Sequence, residues 1–541
     1  MLIDGKLMEA DAVLRAEVCI VGTGMGALSV ASALIAARRS VVFIETGPLE
    51  KSHRGQTALQ IENVGRPFGI SHSRGLEVGG GTAFWHGVCA PLDEEDFQAR
   101  PWIAHSGWPI GRSELAPWYA TAEEFLGGGL DRQACRTDGG ARLAGNLGRR
   151  KTDQQASDVI DAKTYCYRSL PFRGKDLLRD WCTHGMARCV YNSTALRLLH
   201  QHGKAHTLVV GSAGRRFSVI ANKFVIAAGA LETPRLLLNS LQAVSIPGVA
   251  TPGVATPSAS TPAAPARPGS PPVSWWLGRN LIDHPVGYLS QIRFHPPAAG
   301  AAAAKGSAEP VLREFPGFVL QRSIQHQHQL PNHTMFIRQG ISSRPVPNKA
   351  VMSFLSVRGT RDIRLSHLTS LARHPYILWR IAHQKLSLRP RSRYGDLFFM
   401  TEQLPNPESR VSLSERQRDQ FGFPIARVDW RLSKQDISMF ADYHALLMNS
   451  LRVQDDVDGL RADPMASWEA TLASGAHHLG TARMAATVDD GVVDANLKIF
   501  GFENAWISDG SVFPTGGSVN PSLTICALGH RLGHHLNRTW P

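Results

Sequence analysis

The segment from Glu17 to Glu45 constrains the fold most, because it reads as a buried strand, a glycine turn, a helix and a second buried strand. The apolar run VCIVG ends in the turn, the spacing of ALSVASALIAARR is helical, and SVVFIE follows as a continuous apolar strand. Continuous apolar strands on either side of one helix are typical of a βαβ unit. The sequence therefore predicts a parallel, buried sheet at the start of the chain.

The turn itself fits the dinucleotide fingerprint G-x-G-x-x-G/A, in the order Gly22, Thr23, Gly24, Met25, Gly26 and Ala27. The first glycine permits the tight turn, the second lets the backbone approach a pyrophosphate, and Ala27 keeps the helix close to the sheet. The helix N-terminus then offers N–H groups and a positive dipole end to the phosphates. Glu45, at the end of the second strand, is placed to bind ribose hydroxyls. We expect a bound dinucleotide; the alternative is a glycine turn in an ordinary α/β core, and the fingerprint alone does not separate NAD from FAD.

Size and composition indicate a large globular protein of two or three units, or one discontinuous enzyme. The chain has 541 residues, of which 43% are hydrophobic. The N-terminal residues lack a secretory pattern, and the apolar windows are too short for a membrane span. Seven cysteines without CxxC spacing predict free thiols in a reducing compartment. We therefore expect a cytoplasmic protein, with export beside a partner subunit left open.

The positive charge suggests a nucleic-acid site and the histidines suggest a metal site, but the sequence supports neither. The net charge of +13 is spread along the chain without a basic run, so we expect no nucleic-acid partner. Attraction to an anionic substrate, a membrane surface or a redox partner stays open. The histidine-rich stretches lack a pattern of Cys or carboxylate ligands, so no metal is predicted; they contain His326, His328, His333, His530, His534 and His535.

Dinucleotide-type signals at both ends, with β-rich segments between them, predict a cofactor domain built from separated parts of the chain. The β-rich segments, which include GFVLQ, DLFFMTEQ and PIARVDWRLS, suit a mixed or antiparallel sheet over the cofactor. A stretch rich in Pro, Ala, Ser and Thr reads as a surface insertion. The predicted cofactor domain is 1–130, 190–290 and 475–541, the substrate domain is 131–189 and 291–474, and the insertion is 241–274.

Several further stretches together resemble the glucose–methanol–choline (GMC) family of FAD oxidoreductases. They occur in the order GLEVGGGTAFWHGVCAPLD, VIAAGALETPRLLLNS, WWLGRNLIDHP, HHLGTARM and NAWISDGSVFPTGGSVNPSLTICALGHRLGHHL. The nearest likeness is to bacterial sugar and glycoside dehydrogenases and pyranose oxidases. The resemblance implies an α/β (α+β) fold, with a Rossmann-like FAD-binding domain built from discontinuous segments and a β-rich substrate-binding domain.

The resemblance also assigns residues to the FAD. It places the fingerprint turn at the pyrophosphate, Glu45 at the adenosine ribose and Ala195 against the adenine. The other implied cofactor contacts are Gly79, Gly80, Gly81, Thr82, Trp85, Ala228, Gly229, Asp509, Asn520, Pro521 and Thr524. Pyranose oxidases bind flavin covalently through a histidine in the second flavin loop, where this chain has Phe84. Noncovalent FAD is therefore implied, although the neighbouring His86 keeps the covalent alternative open.

Oxidation of an alcohol requires removal of both a hydride and the hydroxyl proton. The spacing His-x-x-Gly-Thr in the resembling segment selects His477 as the base, since a neutral imidazole can take that proton. An amide cannot take a proton, so Asn520 would have the other role: it would hydrogen-bond the substrate oxygen and position the substrate. His478 is a candidate for substrate contact. The structural alternatives are a turn residue for His477 and a helix cap for Asn520.

The sequence thus predicts an FAD-dependent dehydrogenase or oxidase acting on the CH–OH group of an alcohol, sugar or glycoside. The electron acceptor, which could be oxygen, a quinone or a cytochrome subunit, is left open. Three alternatives stay beside this prediction. They are a lyase of the same fold with a redox-idle flavin, an NAD-dependent dehydrogenase, and a non-catalytic flavin-binding protein.

Overall fold

The computed structural model describes most of the chain. The described residues are 1–50, 60–67, 73–85, 87–127, 159–168, 172–241, 274–295, 312–339, 365–373, 394–454, 457–463 and 465–540. The predicted insertion at 241–274 lies outside them except for its two end residues, and His86 also lies outside.

A mainly parallel sheet contains the two strands of the predicted βαβ unit. Its order is β1-β7-β3-β2-β10-β9-β8, and β19 pairs with β10. The pairs formed by β1, β7, β3, β2, β10 and β19 are parallel, whereas β9 is antiparallel to both β10 and β8. The strands are β1 (Leu2–Asp4), β2 (Val13–Val21), β3 (Val41–Ile44), β7 (Ala187–Tyr191), β8 (Thr194–Gln201), β9 (Lys204–Ser212), β10 (Arg215–Ile226) and β19 (Ala505–Ile507).

Helix α1 (Met25–Ala36) follows β2 and packs closely against α10 (Ser522–Arg538), the last helix of the chain. Small residues permit this approach. A Cβ added to Gly529 would lie 2.7 Å from the Ser29 Cβ, and one added to Gly533 would lie 2.7 Å from the Val30 carbonyl oxygen. The two helices therefore depend on glycine at their contact. Helices α3 (Arg112–Phe125), α4 (Gly174–Thr183) and α5 (Gly229–Leu241) also belong to this part of the molecule.

A second sheet is antiparallel and has the order β17-β11-β14-β13-β12-β6-β5, with β18 beside β11. Helix α8 (Lys434–Arg452) packs on it, and Phe440, Tyr443 and Leu447 of this helix share a buried apolar cluster with Phe399. The strands are β5 (Val88–Cys89), β6 (Ile160–Arg168), β11 (Pro285–Phe294), β12 (Leu312–Leu320), β13 (Thr334–Gln339), β14 (Tyr394–Met400), β17 (Val457–Ala462) and β18 (Ala473–Ser474).

A small third sheet joins β15 (Arg410–Arg418), β16 (Pro424–Asp429) and β4 (Ile61–Asn63). Val411, Val428 and Trp430 from this region pack with Leu231 and Leu281. The remaining helices of the described residues are α2 (Glu94–Phe97), α6 (Arg322–Gln327), α7 (Leu365–Arg373), α9 (Trp468–Thr471) and short 3₁₀ turns at Gly5–Leu7, Gly80–Ala83, Met465–Ser467 and Gly510–Val512.

The predicted fold class is confirmed, because a Rossmann-like β2–α1–β3 unit lies in a parallel sheet and a separate antiparallel sheet contains GFVL and DLFFM. The predicted domain boundaries stay a prediction. Strand β7 crosses the boundary at 189/190 and belongs to the parallel sheet, while β5 lies within 1–130 and pairs with β6 in the antiparallel sheet. Within the described ranges, no helix combines the length and the apolar character needed to cross a bilayer.

Candidate active site

The carboxyl ends of four parallel strands meet at one edge of the first sheet, where open α/β sheets bind their ligands. Gly22 follows β2, Glu45 follows β3, Ala227 follows β10 and Ser508 follows β19. Gly22 has a φ of 95°, and a Cβ there would overlap the Ala227 carbonyl oxygen. The fingerprint turn therefore requires glycine at this position for two separate reasons.

Thr23 connects three of the predicted cofactor segments. Its buried hydroxyl donates to Glu45 Oε2 at 2.5 Å and accepts from the Gly79 N–H at 2.9 Å. Glu45 also accepts from the Gly47 N–H at 2.8 Å. Burial raises the pKa of Glu45 to about 7, against the lowering effect of the hydrogen bonds from Thr23 and Gly47. Two ribose hydroxyls donating to this carboxylate would favour its charged form.

The glycine-rich loop at 79–81 lies directly against the fingerprint turn. Gly79 and Gly80 have positive φ angles of 96° and 53°, and a Cβ on Gly80 would lie 3.1 Å from the Gly24 Cα. A Cβ on Gly24, Gly81 or Gly229, in contrast, would meet no atom within 4 Å. Three glycine backbones from three loops therefore face open space, as a cradle for a pyrophosphate requires. These residues fit a dinucleotide.

Thr82 and Arg173 hold this glycine-rich loop in place. Thr82 Oγ1 donates to the Gly79 carbonyl oxygen at 2.7 Å and accepts from the Gly174 N–H at 2.9 Å. Arg173 donates to the carbonyl oxygens of Thr82 and Trp85 at 2.9 and 3.2 Å. The Trp85 indole N–H is buried and has no hydrogen-bond partner among the described residues. A buried donor of this kind suits an acceptor on a bound group.

Asp509 connects the segment after β19 to helix α5 through hydrogen bonds. Its Oδ2 accepts from the Gly229 N–H at 2.8 Å and the Thr233 hydroxyl at 2.6 Å, and its Oδ1 accepts from the Ser511 N–H at 2.8 Å. Burial raises the pKa of Asp509, while these hydrogen bonds oppose the rise. Gly229 and its neighbour Ala228 are therefore brought next to Asp509, and their contact with a cofactor stays a prediction.

Three other predicted cofactor residues lie elsewhere in the same unit. Ala195 is half-buried in β8, opposite Val210 of β9. The Thr524 hydroxyl is fully buried and lies 3.0 Å from the Tyr119 hydroxyl, so this side chain packs between α10 and α3. Pro521 is the N-cap of α10, which leaves Asn520 immediately before the helix. The alternative that Asn520 caps the helix is therefore wrong.

The two predicted catalytic side chains are in contact. Asn520 Nδ2 lies 3.1 Å from His477 Nε2, although the residues are 43 positions apart. The His477 segment also runs beside the cofactor segment, because the Gly480 N–H donates to the Gly510 carbonyl oxygen at 3.1 Å, next to Asp509. The structure thus assembles a histidine and an amide beside the segment of Asp509, which is predicted to contact the cofactor.

A bulge in the backbone presents His477. Val286 pairs with Ala473 and Ile282 pairs with Leu479, so the three residues between these pairs on one strand face five on the other. The extra residues include Ala476, whose φ is 63°, a left-handed conformation that costs energy for a residue with a Cβ. Such bulges re-aim side chains next to active sites.

Asp283 and His284 hold this bulge. Asp283 Oδ1 accepts from the backbone N–H groups of His477 at 3.0 Å and His284 at 2.6 Å, and its Oδ2 accepts from the Ser474 hydroxyl at 2.5 Å. Burial raises the pKa of Asp283 to about 6, with the hydrogen bonds opposing the rise. His284 Nδ1 lies 3.0 Å from His477 Nδ1. The His477 ring is therefore contacted at both nitrogens.

His478 is a half-buried neighbour of Arg74. Burial, and then the positive charge of Arg74, lower the pKa of His478 to about 3, so the ring is neutral at physiological pH. Arg74 itself forms a buried ion pair with Glu232, with Nη1 2.7 Å from Oε1. Substrate contact by His478 stays a prediction.

Sequence reasoning missed Asp283, His284 and Arg173. The first two stand within the quoted stretch WWLGRNLIDHP, to which no side-chain role was assigned. An acid–histidine pair directly before a proline was the available signal. Its partner His477 lies 193 residues away, so only the fold reveals the contact.

Comparison with known proteins relates one segment of the chain to a family. Residues 405–529, which contain His477, Asp509 and Asn520, match the GMC oxidoreductase model. Residues 405–529 therefore form a segment similar to the C-terminal part of GMC oxidoreductases. GMC oxidoreductases bind FAD, so FAD rather than NAD is the dinucleotide that the fingerprint left open.

Proteins similar to parts of this chain include dehydrogenases of small alcohols and sugars. The 2-methyl-1,2-propanediol dehydrogenase of Mycolicibacterium austroafricanum is 29% identical over 164 residues, which are 30% of this chain and 28% of that protein. The fructose dehydrogenase large subunit of Gluconobacter japonicus is 24% identical over 316 residues, 58% of this chain and 46% of that protein. The chain therefore matches less than half the length of each relative.

The solved structure of pyridoxine 4-oxidase from Mesorbium loti has the same fold. It superposes with a TM-score of 0.58 and 16% identity, over 97% of this chain and all of that one (100%). The likeness at this identity shows the fold, and it extends well beyond the residues matched by the family.

Alanine at Gly24 and at Gly26 should have different effects. Gly24→Ala places a methyl group in open space, so the protein should fold normally but lose about 1–3 kcal/mol of FAD binding free energy, the usual cost of overfilling a contact. Gly26→Ala would overlap the Ser508 carbonyl oxygen, so it should lower the free energy of unfolding itself. FAD retained after gel filtration and urea unfolding at saturating FAD measure the two effects. Equal FAD retention by Gly24→Ala and the unaltered protein would contradict the placement of the pyrophosphate.

Proposed function

We propose that the chain oxidises a CH–OH group of an alcohol or sugar, with His477 as the base and Asn520 as the residue that positions the substrate. The observation that carries the proposal is the 3.1 Å contact between His477 Nε2 and Asn520 Nδ2, beside the segment proposed to bind the cofactor. An imidazole nitrogen and an amide placed together can bind one hydroxyl group. The nitrogen accepts its proton, and the amide donates to its oxygen.

The residues proposed to hold FAD include Gly24, Gly81 and Gly229, at each of which an added Cβ would meet no atom within 4 Å, with Glu45 proposed at the adenosine ribose. Bound FAD supplies the hydride acceptor, while the protein binds, orients and tunes. Noncovalent binding is proposed because Phe84 stands where pyranose oxidases have the linking histidine. Helix α10 begins at Ser522, directly after Asn520 and Pro521, so its positive end favours negative charge at the same place.

His477 is proposed to take the hydroxyl proton as the carbinol hydrogen leaves. Neutral imidazole is a suitable base near neutral pH, and a positioned base contributes about 10²- to 10⁴-fold in rate. Asn520 Nδ2 now donates toward the Nε2 atom that must accept this proton. The substrate hydroxyl therefore has to displace that hydrogen bond, after which the amide can donate to the substrate oxygen.

The proposed substrate class is a small alcohol or a carbohydrate. Support comes from the relatives, whose names specify 2-methyl-1,2-propanediol and fructose. The relatives include oxidases as well as dehydrogenases, and we propose a dehydrogenase because the relative matched over 58% of this chain, the fructose dehydrogenase large subunit, is one. The physiological acceptor would then be a quinone or a cytochrome subunit.

An acceptor assay tests the dehydrogenase proposal. With a panel of alcohols and sugars, we expect turnover with a quinone or dye acceptor and slow oxygen consumption in its absence. A peroxide-coupled dye reports any hydrogen peroxide, and catalase should remove that signal. His477→Ala serves as the inactive control. Peroxide formation at the rate of dye reduction would show an oxidase instead.

A further inference from the structure

We propose that His284 is a positioning residue that sets the tautomer of His477, so that the Nε2 atom of His477 is the one without a proton. The role rests on the proposed function, in which His477 Nε2 is the base. It follows from the hydrogen-bonding capacity of the atoms around the two rings rather than from the base assignment itself.

The Nε2 atom of His284 faces two backbone carbonyl oxygens, those of Gly516 at 3.2 Å and Gly517 at 3.0 Å. Carbonyl oxygens only accept hydrogen bonds, so this nitrogen must carry the proton. The ring is fully buried, and burial lowers the pKa of His284 despite those two carbonyls. Neutral His284 with a proton on Nε2 has an acceptor at Nδ1.

The acceptor at His284 Nδ1 lies 3.0 Å from His477 Nδ1. Two acceptor nitrogens cannot form a hydrogen bond, so His477 must carry its proton on Nδ1 and donate it to His284. Neutral His477 then has its lone pair on Nε2. The nitrogen that accepts the proton is therefore the one next to Asn520 and the substrate, not the one next to His284.

The contact on the opposite side of the His477 ring agrees with the same tautomer, but an amide can also turn its oxygen toward an Nε2–H, so His284 rather than Asn520 sets the tautomer. Asn520 contacts Nε2 through its Nδ2 atom, which is a donor, so Nε2 serves as the acceptor there. Two contacts on two separate segments, 516–517 through His284 and Asn520 directly, thus agree on one protonation pattern.

The backbone around the pair fixes its distance. Asp283 Oδ1 accepts from the N–H groups of both histidines, and the Gly475 N–H donates to the His284 carbonyl oxygen at 2.9 Å. A Cβ on Gly516 would lie only 3.3 Å from His284 Nε2, so the loop that binds this nitrogen is closely packed on the ring. His284 therefore has little room to rotate away from its carbonyl partners.

Two replacements of His284 separate hydrogen bonding from packing. His284→Gln offers an amide N–H to the carbonyl oxygens and an amide oxygen to His477, so it should preserve the tautomer. His284→Leu has neither group. The rate of flavin reduction should fall by about 10- to 100-fold in His284→Leu, the range for partners that orient a functional histidine, and should recover in part in His284→Gln.

The direct test is ¹⁵N NMR of the FAD-loaded protein with labelled histidine, with the His477 resonances identified by their loss in His477→Gln. We expect the unaltered protein and His284→Gln to show a protonated Nδ1 and an unprotonated Nε2 on His477. His284→Leu should show a mixture of the two tautomers.

An Nε2–H tautomer in the unaltered protein would overturn the proposal, and so would an unchanged tautomer in His284→Leu. The spectrum of the unaltered protein decides the matter even if His284→Leu fails to fold. Because this measurement needs no substrate, a correct tautomer in a protein that no alcohol reduces would reject the proposed function and retain the role of His284.

Discussion

Replacing His477 with alanine is expected to slow reduction of the bound flavin by about 10²- to 10⁴-fold, because the hydroxyl proton then has no positioned acceptor. FAD content should stay the same, since the residues proposed to hold the cofactor, Thr23, Glu45 and Asp509, are positioned by hydrogen bonds that do not involve His477. Anaerobic stopped-flow absorbance with a saturating alcohol or sugar measures the rate.

His184→Ala is the control for this variant, because that histidine is an exposed residue just after α4. It should reduce at the rate of the unaltered protein. If His477→Ala also kept that rate, His477 would be a structural turn residue and the base would lie elsewhere.

Replacing Glu402 with alanine should lower the free energy of unfolding by about 3–5 kcal/mol, the cost of leaving one buried charge without its partner. Glu402 and Arg100 form a doubly hydrogen-bonded pair, at 2.8 and 2.5 Å, in which the carboxylate side chain is 0% exposed. Burial opposes ionisation of Glu402, but the charge and hydrogen bonds of Arg100 hold its pKa below the usual range. Urea unfolding at saturating FAD measures the loss.

The double variant Arg100→Met and Glu402→Leu is the matched control. Removing both charges leaves no uncompensated ion, so the double variant should be more stable than Glu402→Ala. One hydrogen bond is still lost in it, from the Asn332 N–H to Glu402 Oε2 at 2.8 Å. A double variant less stable than Glu402→Ala would show that packing, rather than the isolated charge of Arg100, determines the cost.

The parts of the fold that follow local spacing could be predicted from the sequence. The β2–α1–β3 unit was predictable because strand, glycine turn, helix and strand lie within 17–45, and each has its own periodicity or turn residues. The order of the remaining strands was not. Strand β7 lies between β1 and β3, and no local pattern shows that a strand at 187–191 pairs with one at 41–44.

The candidate site also has features that could be predicted from the sequence and features that could not. The proximity of His477 to Asn520, and of Glu45 to the fingerprint turn, could be expected because each residue stands in a recognisable motif, while their roles stay predictions. The ring contact of His284 could not, because it depends on a two-residue bulge opposite 282–286 that places residues far apart in sequence side by side. The hydrogen bonds of Thr23 were missed for the same reason.

The anaerobic absorbance spectrum of the purified protein, before and after addition of single alcohols, sugars and glycosides, tests the central claim most directly. The account predicts flavin bands that bleach with a member of this panel, which would also exclude a lyase with an idle flavin. A protein that is colourless and cannot be reconstituted with FAD would contradict it.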